Sequence, residues 1–496
     1  MDRLFDVAVI GGGINGCGIA ADASMRGLSV ILLEKDDLAS KTSSSSTKLI
    51  HGGLRYLEYF NFALVKKSLD ERQILLKLAP HLVYSLPFVL PYQQSIRPSW
   101  LLRTGLFLYD NLSRKNKLPK SKLIKRSKEA LYFSPLTDQF NKGFLYYDGA
   151  TDDARLTLAN ALQAKEHGAT ILTNSELISS SVVDKKWRLA IKTKQNNNFT
   201  VMARSIINAT GPWIESINQQ LAIPTHYKMS LVKGSHLVVP KLYEGNHAYL
   251  LQNEDKRVVF VIPYHGYTMI GTTDVNFSDN MDEVAISDQE ISYLFKLVAR
   301  YFKQQLSHKD IINTWSGIRP LLATMGDSPQ ALSRDYTYHF TNIPGPAVTI
   351  YGGKITTYRQ LAEEAVNELR EVFPSLKKST TNKTPLPGAL FDNMPYEDYR
   401  QYARKTYFWV DEEILNRLLT TYGTKIEVLL RGCKNASDMG QHFGYGLFQA
   451  EVDYLRNNEW ATTCDDILWR RTKLGLYFTA SNRALLEMYL ANGTVT

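Results

Sequence analysis

The stretch that decides the fold is Phe5-Asp6-Val7-Ala8-Val9-Ile10-Gly11-Gly12-Gly13-Ile14-Asn15-Gly16. In it, an apolar run enters a turn with the spacing G-x-G-x-x-G. An alanine-rich segment of helical character follows, and a second apolar run, residues 28–33, ends at Glu34. Strand, glycine turn, helix, strand and acid together form the fingerprint of a βαβ dinucleotide-binding unit. We therefore predict a Rossmann-like α/β unit in this part of the chain.

Each glycine of the fingerprint has its own role. Gly11 permits the tight turn, Gly13 lets the backbone approach a pyrophosphate, and Gly16 lets the helix pack closely against the strands. The helix N-terminus then offers N–H groups and a partial positive charge to the phosphates. Glu34 can accept hydrogen bonds from both ribose hydroxyls, and an acid at this position disfavours the 2′-phosphate of NADP.

Two later segments favour FAD over NAD. Residues 205–213 form an apolar run that ends in a turn of small residues, and residues 347–359 form another apolar run followed by Gly352-Gly353-Lys354 and a helical pattern. A site assembled from three remote segments suits a large, permanently held cofactor. A flavin also carries the redox chemistry itself, while the protein supplies position and electrostatics. We therefore predict FAD as the cofactor.

Length and composition bound the class of protein. The chain has 496 residues, which predicts two or three domains with substantial cores. Its three cysteines, Cys17, Cys433 and Cys464, show no metal-ligand spacing, so we predict neither a disulfide framework nor a metal site. The sequence enters a strand within a few residues and contains no run of about eighteen apolar residues. We expect neither a secretory signal nor a membrane-spanning helix.

The formal net charge of +9 is concentrated in one region. Residues 114–128 carry eight basic side chains and no acid, and they follow an amphipathic, aromatic-bearing segment at 100–109. Two interpretations are open: a peripheral protein on an anionic membrane surface, or a core helix followed by a solvated loop. Nucleic acid is not expected as a partner, because the basic run has few aromatics and no RNA or DNA motif accompanies it.

The chain changes character along its length. Strand-like runs with β-branched residues predict a largely antiparallel sheet, at 235–240, 247–251, 257–263 and 267–271. After a linker signal at 384–388, helical periodicity dominates, as at 396–407, 412–422 and 448–460.

These patterns predict three domains. The first is a discontinuous FAD-binding domain formed by residues 1–75, 146–214 and 311–385. The second is a substrate-binding, membrane-facing domain formed by residues 76–145 and 215–310. The third is a C-terminal helical domain at residues 386–496.

Several further motifs carry a resemblance to a known family. They include Ser46-Thr47-Lys48-Leu49-Ile50-His51-Gly52-Gly53-Leu54-Arg55-Tyr56-Leu57-Glu58, Asn208-Ala209-Thr210-Gly211-Pro212-Trp213, and the segments 10–16, 233–236, 251–257, 271–274, 316–321, 352–359 and 466–473. With these motifs the chain resembles, over nearly its whole length, the FAD-dependent glycerol-3-phosphate dehydrogenases of the bacterial aerobic, respiratory type. It departs from the family pattern at Ile318, where valine is familiar, and in the density of basic residues at 114–128.

The resemblance implies both a fold and an activity. The fold is an α/β (α+β overall) architecture: a Rossmann-like FAD-binding domain of the glycine/D-amino-acid oxidase type, an antiparallel-sheet substrate domain and a C-terminal helical domain. The activity is oxidation of sn-glycerol 3-phosphate to dihydroxyacetone phosphate, with electrons passing from reduced FAD to membrane ubiquinone. The protein would be peripheral, on the cytoplasmic face of the inner membrane, and a homodimer.

The phosphate of the substrate is negatively charged, so cationic side chains are expected to bind it. Arginine is the natural clamp, because its planar fork can bind phosphate oxygens in bidentate fashion. We predict that Arg55, Lys354 and the hydroxyl of Tyr56 hold one end of the substrate. Arg319 would stabilise the alkoxide or the forming ketone. His51 or His236 could take the hydroxyl proton, and a lysine or arginine is a further alternative; the sequence does not decide among them.

The predicted cofactor site is larger than the glycine turn. Residues 42–47 are either a flexible polar loop or a hydroxyl-rich cradle for the pyrophosphate or the isoalloxazine. The predicted cofactor-binding residues are Gly11, Gly13, Asn15, Gly16, Glu34, Lys35, Thr42, Ser43, Ser46, Lys48, Leu49, His51, Gly52, Ala209, Thr210, Gly211, Gly353, Lys354, Thr356 and Thr357. Three alternatives stay open: a glycerol-3-phosphate oxidase that uses oxygen, an amine or amino-acid oxidase of the same fold, and a non-catalytic flavoprotein.

Overall fold

A computed structural model describes residues 4–92, 97–225, 227–255, 257–322, 335–391 and 394–492. The strands, in chain order, are β1 Leu4–Ile10, β2 Val30–Leu33, β3 Leu49–Ile50, β4 Val83–Pro91, β5 Lys122–Lys125, β6 Lys142–Thr151, β7 Thr170–Leu172, β8 Ser175–Val183, β9 Lys186–Thr193, β10 Asn198–Asn208, β11 Met229–Val239, β12 Ala248–Gln252, β13 Val258–Tyr264, β14 Tyr267–Gly271, β15 Val275–Asn276, β16 Asn313–Leu322, β17 Tyr336–Thr341, β18 Ala347–Gly352, β19 His442–Gly444 and β20 Leu447–Phe448.

Helices connect these strands and form most of the C-terminal part. The α-helices are α1 Ile14–Met25, α2 Phe62–Leu78, α3 Ser99–Asn111, α4 Asp153–Glu166, α5 Ile214–Gln220, α6 Asp288–Tyr301, α7 Tyr358–Glu368, α8 Tyr396–Thr406, α9 Glu412–Tyr422, α10 Ile426–Leu429, α11 Gln449–Asn458 and α12 Ala480–Asn492. A six-residue 3-10 helix at Leu54–Tyr59 and a π-helix at Asp466–Arg471 also bear on the site.

The predicted βαβ unit is confirmed as the centre of the first sheet. This sheet has the strand order β17-β18-β10-β1-β2-β7, and its inner pairs are parallel. β17 is antiparallel to β18, and β8 and β9 extend the sheet from β10. Apolar side chains of α1, α4 and α7 form one buried cluster with those of β1. Such an open sheet places the loops at the carboxyl ends of β1 and β2 together, which is where a dinucleotide binds.

The second sheet is largely antiparallel, as predicted. Its order is β15-β11-β14-β13-β12-β4-β6-β3, with β16 paired to β11 and β5 to β6, and β12–β4 is a parallel pair. The predicted strands at 235–240, 247–251, 257–263 and 267–271 correspond to β11, β12, β13 and β14.

Two strands that the predicted boundaries place in the FAD-binding domain pair with strands of the second sheet. Those boundaries place β3 and β16 with the FAD-binding domain, but β3 pairs with β6 and β16 pairs with β11. The domain boundaries themselves stay a prediction. Hydrophobic periodicity identifies a strand but does not name its partner, which here is remote in sequence.

The amphipathic segment predicted at 100–109 forms α3. Leu102, Leu106 and Tyr109 face inward and are buried, whereas Trp100 and Phe107 are 68% and 65% exposed. Within the described ranges, no helix is both long enough and apolar enough to cross a bilayer.

The predicted helices after residue 385 are confirmed as α8, α9 and α11. They enclose their own buried apolar cluster, which includes Leu418, Leu419 and Leu455. The sequence patterns did not predict the short β19–β20 hairpin in this part of the chain.

Candidate functional site

One cavity brings the predicted site segments together. It has a volume of about 750 Å³ and is lined by residues of both sheets. The predicted cofactor-binding residues in its wall are Gly11, Gly13, Asn15, Glu34, Lys35, Thr42, Ser43, Ser46, Leu49, His51, Ala209, Thr210, Gly211, Gly353, Lys354 and Thr356. Four others, Gly16, Lys48, Gly52 and Thr357, lie outside the wall and support it from behind.

The glycine turn is shaped by close backbone contacts. Gly11 has a φ of +105°, and a Cβ added there would lie 2.8 Å from the carbonyl oxygen of Ala209. A Cβ at Gly16 would collide with the carbonyl oxygen of Gly11. At Gly13, by contrast, the nearest protein atom to an added Cβ is Ser43 Oγ at 3.0 Å. The absence of a side chain at Gly13 therefore keeps space open at the N-terminus of α1.

Glu34 ends β2 and holds the glycine turn. Its Oε2 accepts a hydrogen bond from the Gly12 N–H at 2.7 Å, and its Oε1 accepts one from the Asp36 N–H at 2.8 Å. Burial raises the pKa of this carboxyl above its usual range. Each oxygen keeps a further lone pair, so the carboxylate can still accept from a ribose hydroxyl.

These features fit FAD. The α1 N-terminus borders the cavity at Gly13 and Asn15, and Gly13 contributes no side-chain cap. The buried Oδ1 of Asn15 finds no hydrogen-bond partner among the described residues. Free N–H groups at a helix N-terminus suit a pyrophosphate, and a buried acceptor in the same wall suits a ligand donor.

The hydroxyl-rich run 42–47 is tied to its surroundings. Ser43 Oγ accepts a hydrogen bond from the Ile14 N–H at 2.9 Å, and Thr42 Oγ1 donates to the Ile318 carbonyl at 2.8 Å. Further along, Ser46 Oγ donates to Asp153 Oδ2 at 2.7 Å. These contacts attach the run, called the cradle below, to its surroundings along the cavity, and its contact with the cofactor stays a prediction.

Lys48 braces this cradle from behind. Its side chain is buried, and its Nζ donates to Asp153 Oδ1 at 2.8 Å and to the Ser44 carbonyl at 3.0 Å. The same ammonium lies 4.9 Å from the ring centroid of Trp315. The structure thus gives Lys48 contacts with the protein, and the predicted direct contact with the cofactor stays a prediction.

The predicted substrate residues converge on the same cavity. Arg55 and Tyr56, carried by the 3-10 helix Leu54–Tyr59, line it together with Lys354 and Arg319. Lys354 Nζ lies 5.3 Å from the ring centroid of Tyr56. The sequence places these residues up to about three hundred positions apart, and the fold brings all four to the lining of one cavity.

Asp274 is a member of the site that the sequence reasoning missed. It lines the cavity, forms an ion pair with Arg319 and is 6% exposed at its side chain. Arg319 Nη2 also donates to Thr272 Oγ1 at 2.6 Å. The only signal in the sequence was the motif at 271–274, which did not reveal that its acid faces Arg319.

The two candidate histidines differ in position. His51 lines the cavity and lies edge-on to Phe260, with ring centroids 6.0 Å apart. His236 is fully buried outside the wall, with its Nε2 3.0 Å from Thr47 Oγ1 and its ring stacked on Trp315. Burial, reinforced by the charges of Arg319 and Lys48, lowers the pKa of His236 well below its usual value.

A group of apolar residues in the cavity lining, called the apolar branch below, was not predicted. The group consists of Phe60, Phe62, Leu101, Leu102 and Leu108. Phe60 is 79% exposed and Leu101 is 39% exposed. Part of this apolar lining is therefore exposed at the protein surface beside α3.

Comparison with known proteins identifies the class of this fold and site. Residues 6–359 match the family model of the FAD dependent oxidoreductases, and residues 379–490 match the C-terminal domain of alpha-glycerophosphate oxidase. The chain belongs to the FAD dependent oxidoreductase family, and its cofactor is FAD.

Individual relatives are similar over almost the full length. A glycerol-3-phosphate dehydrogenase of Pseudomonas aeruginosa is 46% identical, over 98% of this chain and 95% of that protein. A D-erythritol 1-phosphate dehydrogenase of Brucella abortus is 43% identical, over 99% of this chain and 98% of that protein. The crystal structure of the glycerol-3-phosphate dehydrogenase from Bacillus halodurans complexed with FAD superposes with a TM-score of 0.78 at 26% identity, covering 98% of this chain and 88% of that one.

Proposed function

We propose that the protein oxidises sn-glycerol 3-phosphate to dihydroxyacetone phosphate and passes the electrons to membrane ubiquinone. The observation that carries the proposal is that Arg55, Lys354, Arg319 and His51 line the same cavity as the predicted FAD-binding residues. The relatives from P. aeruginosa and B. halodurans are named for the same substrate.

The phosphate is bound by Arg55 and Lys354, with the Tyr56 hydroxyl as an additional donor. A guanidinium binds phosphate oxygens in bidentate fashion, whereas an ammonium acts as a point charge. Arg55 Nη2 donates to Tyr59 Oη at 3.3 Å, while the buried Nε of Arg55 has no hydrogen-bond partner among the described residues. Arg55 thus keeps donor capacity for an anion.

Arg319 stabilises the negative charge that develops on the substrate's carbinol oxygen. Asp274 and Thr272 hold its guanidinium in place, so little reorganisation is needed during the reaction. When bound, FAD supplies the hydride acceptor, N5 of its isoalloxazine ring.

His51 takes the hydroxyl proton of the substrate on an imidazole nitrogen. This assignment follows from its place in the cavity wall, because a general base must reach the proton that it abstracts. His236 acts outside the cavity wall, through the hydrogen bond that orients the Thr47 hydroxyl.

The surface beside α3 faces an anionic membrane. Trp100, Phe107 and Phe60 expose most of their side chains there, and the basic run 114–128 follows the helix. Aromatic anchors next to basic residues suit the interface of an anionic bilayer. We place this attachment on the cytoplasmic face of the inner membrane and ubiquinone in the apolar branch. The homodimer rests on the family resemblance alone.

D-Erythritol 1-phosphate is the second candidate substrate. The B. abortus relative is named for it and is nearly as similar as the glycerol-3-phosphate dehydrogenases. Both compounds join a phosphate to a polyol chain, so the same cationic clamp would serve either.

A kinetic comparison tests the proposal. We expect kcat/KM with glycerol 3-phosphate to exceed that with D-erythritol 1-phosphate, and glycine and sarcosine to be inactive. Reduction of a soluble quinone without peroxide would support the dehydrogenase, whereas stoichiometric peroxide irrespective of quinone would indicate an oxidase.

A further inference from the structure

Two arginines of the C-terminal part form ion pairs with one aspartate next to the FAD site. Arg470 Nε donates to Asp37 Oδ2 at 2.5 Å, and Arg471 Nη2 donates to Asp37 Oδ1 at 2.8 Å. Asp37 is 6% exposed and Arg471 is fully buried. Removal of one partner from such a pair leaves an uncompensated buried charge, so the contact cannot open without cost.

Asp37 belongs to a loop that forms part of the FAD site. Its neighbour Leu38 packs beneath Gly12, where a Cβ would lie 2.7 Å from Leu38 Cδ2. The Ala39 N–H donates to the Gly12 carbonyl at 3.1 Å. Ala39, Ser40 and Lys41 line the cavity. The loop 35–41 therefore contacts the glycine turn and forms one wall of the cofactor site.

The same C-terminal segment reaches a second loop of the site. Lys473 Nζ donates to Asp152 Oδ1 at 2.9 Å, at the N-cap of α4. The next residue, Asp153, accepts from Ser46 Oγ at 2.7 Å and from Lys48 Nζ at 2.8 Å. Ser46 lines the cavity. The C-terminal part thus holds the cradle 42–47 through α4.

We propose that the segment 470–473 is a two-point brace by which the C-terminal part keeps both loops in their FAD-binding conformation and so slows FAD release. Arg470, Arg471 and Lys473 lie outside the cavity wall and are positioning residues. A ligand's apparent affinity falls with the fraction of protein in the binding-competent state, so a loosened loop must release FAD faster. The inference needs only the cofactor and is independent of the proposed substrate.

The rate of FAD release from the holoenzyme tests the brace. Flavin fluorescence is followed after removal of free FAD from the parent, Asp37→Asn, Arg470→Gln and the double variant. We expect release about tenfold faster in each single variant. The double variant should add little to Asp37→Asn alone, because the Arg470–Asp37 ion pair that Arg470→Gln removes is already disrupted in Asp37→Asn.

Arg483→Gln is the matched control. Arg483 lies in the same part of the chain and pairs with Asp465 and Glu487, but its side chain is 41% exposed. Its release rate should equal that of the parent. The thermal midpoint of each holoenzyme is measured in parallel, because a contact that only stabilises the fold would lower the midpoint and leave FAD release unchanged.

Release rates of Asp37→Asn and Arg470→Gln within threefold of the parent would overturn the proposal, and so would equal acceleration in Arg483→Gln. If neither variant yields folded protein, Lys473→Gln tests the second contact point by the same measurement and the same thresholds.

Discussion

Arg319 and Asp274 form an ion pair in the wall of the FAD cavity, with side chains 22% and 6% exposed. The Thr272 hydroxyl accepts a second hydrogen bond from the same guanidinium. Arg319 is thus fixed before any substrate arrives. A cation held in this way stabilises developing negative charge more effectively than one that must reorient during the reaction.

Replacement of Arg319 should therefore affect chemistry and not cofactor binding. We expect Arg319→Ala to retain its flavin spectrum while kcat falls by about a thousandfold, in the range for removal of a preorganised donor. Steady-state kinetics with glycerol 3-phosphate and an artificial acceptor measure this. Arg204→Ala, which removes an arginine paired with Asp6 at the surface, is the control. Turnover near that of the parent would refute the role of Arg319.

Substitutions of the two histidines should differ in their effect on kcat in the same assay. His51 lines the cavity, whereas His236 lies behind Thr47. We expect His51→Gln to lower kcat by about 10²–10⁴-fold, the usual contribution of a general base, and His236→Gln to lower it much less. FAD content is checked in both variants. A greater loss in His236→Gln would reverse the assignment.

Buried histidines predict an acid limit to stability. Burial lowers the pKa of His81 to about 3 and that of His247 to about 4. Their unfolded pKa is about 6.5. The neutral ring is favoured in the folded state, so its stabilising contribution is complete above pH 6.5 and is lost as the pH falls from there towards the folded value. In this range each histidine lowers the free energy of unfolding by about 1.4 kcal/mol for every unit by which the pH falls.

Urea unfolding at pH 7 and pH 5 measures this effect. Between pH 7 and pH 5, the free energy of unfolding of the parent should fall by about 2 kcal/mol more than that of His247→Gln, since this variant lacks one of the titrating rings. His308→Gln, at an exposed position, should follow the parent. Parallel losses in the parent and His247→Gln would contradict the account.

If α3 attaches the protein to the membrane, loss of its exposed aromatic residues or of the nearby basic residues should weaken membrane binding. Trp100→Ser/Phe107→Ser should weaken cosedimentation with anionic liposomes, and neutralising exposed lysines of 114–128 should weaken it further and reduce its salt sensitivity. Arg126 should be left intact, because its guanidinium donates to the carbonyls of Thr137 and Phe140.

Phe408→Ser is the control for this experiment. Phe408 is 81% exposed in the C-terminal part of the chain, away from α3 in sequence. Its liposome binding should match that of the parent. If Phe408→Ser and the α3 variant lost binding equally, the membrane face would have to be sought elsewhere.

The sequence was sufficient for the cofactor turn because its constraints are local. Within this strand–turn–helix unit, Gly11 is required by its φ of +105° and Gly16 by its contact with the carbonyl oxygen of Gly11. Arg55, Lys354 and Arg319 were also found from sequence, but as separate motifs. Their convergence on one cavity depends on how the two sheets pack, which no periodicity encodes.

The rest of the site depends on contacts between remote residues. Nothing in the pattern around Asp274 indicates that it pairs with Arg319, and nothing around Asp37 indicates that Arg470 and Arg471 reach it from more than four hundred residues away. The position of His236 behind Thr47 is of the same kind. These pairings follow from strand register and domain packing, which are settled only in three dimensions.

Anaerobic reduction of the bound flavin shows whether glycerol 3-phosphate is the electron donor to FAD in this protein. Glycerol 3-phosphate is added to the purified holoenzyme without oxygen, and the flavin absorbance near 450 nm is followed. We predict rapid and complete bleaching, with one dihydroxyacetone phosphate formed per flavin, and none with glycine or sarcosine. An unbleached flavin with glycerol 3-phosphate, or bleaching by an amino acid instead, would contradict the account.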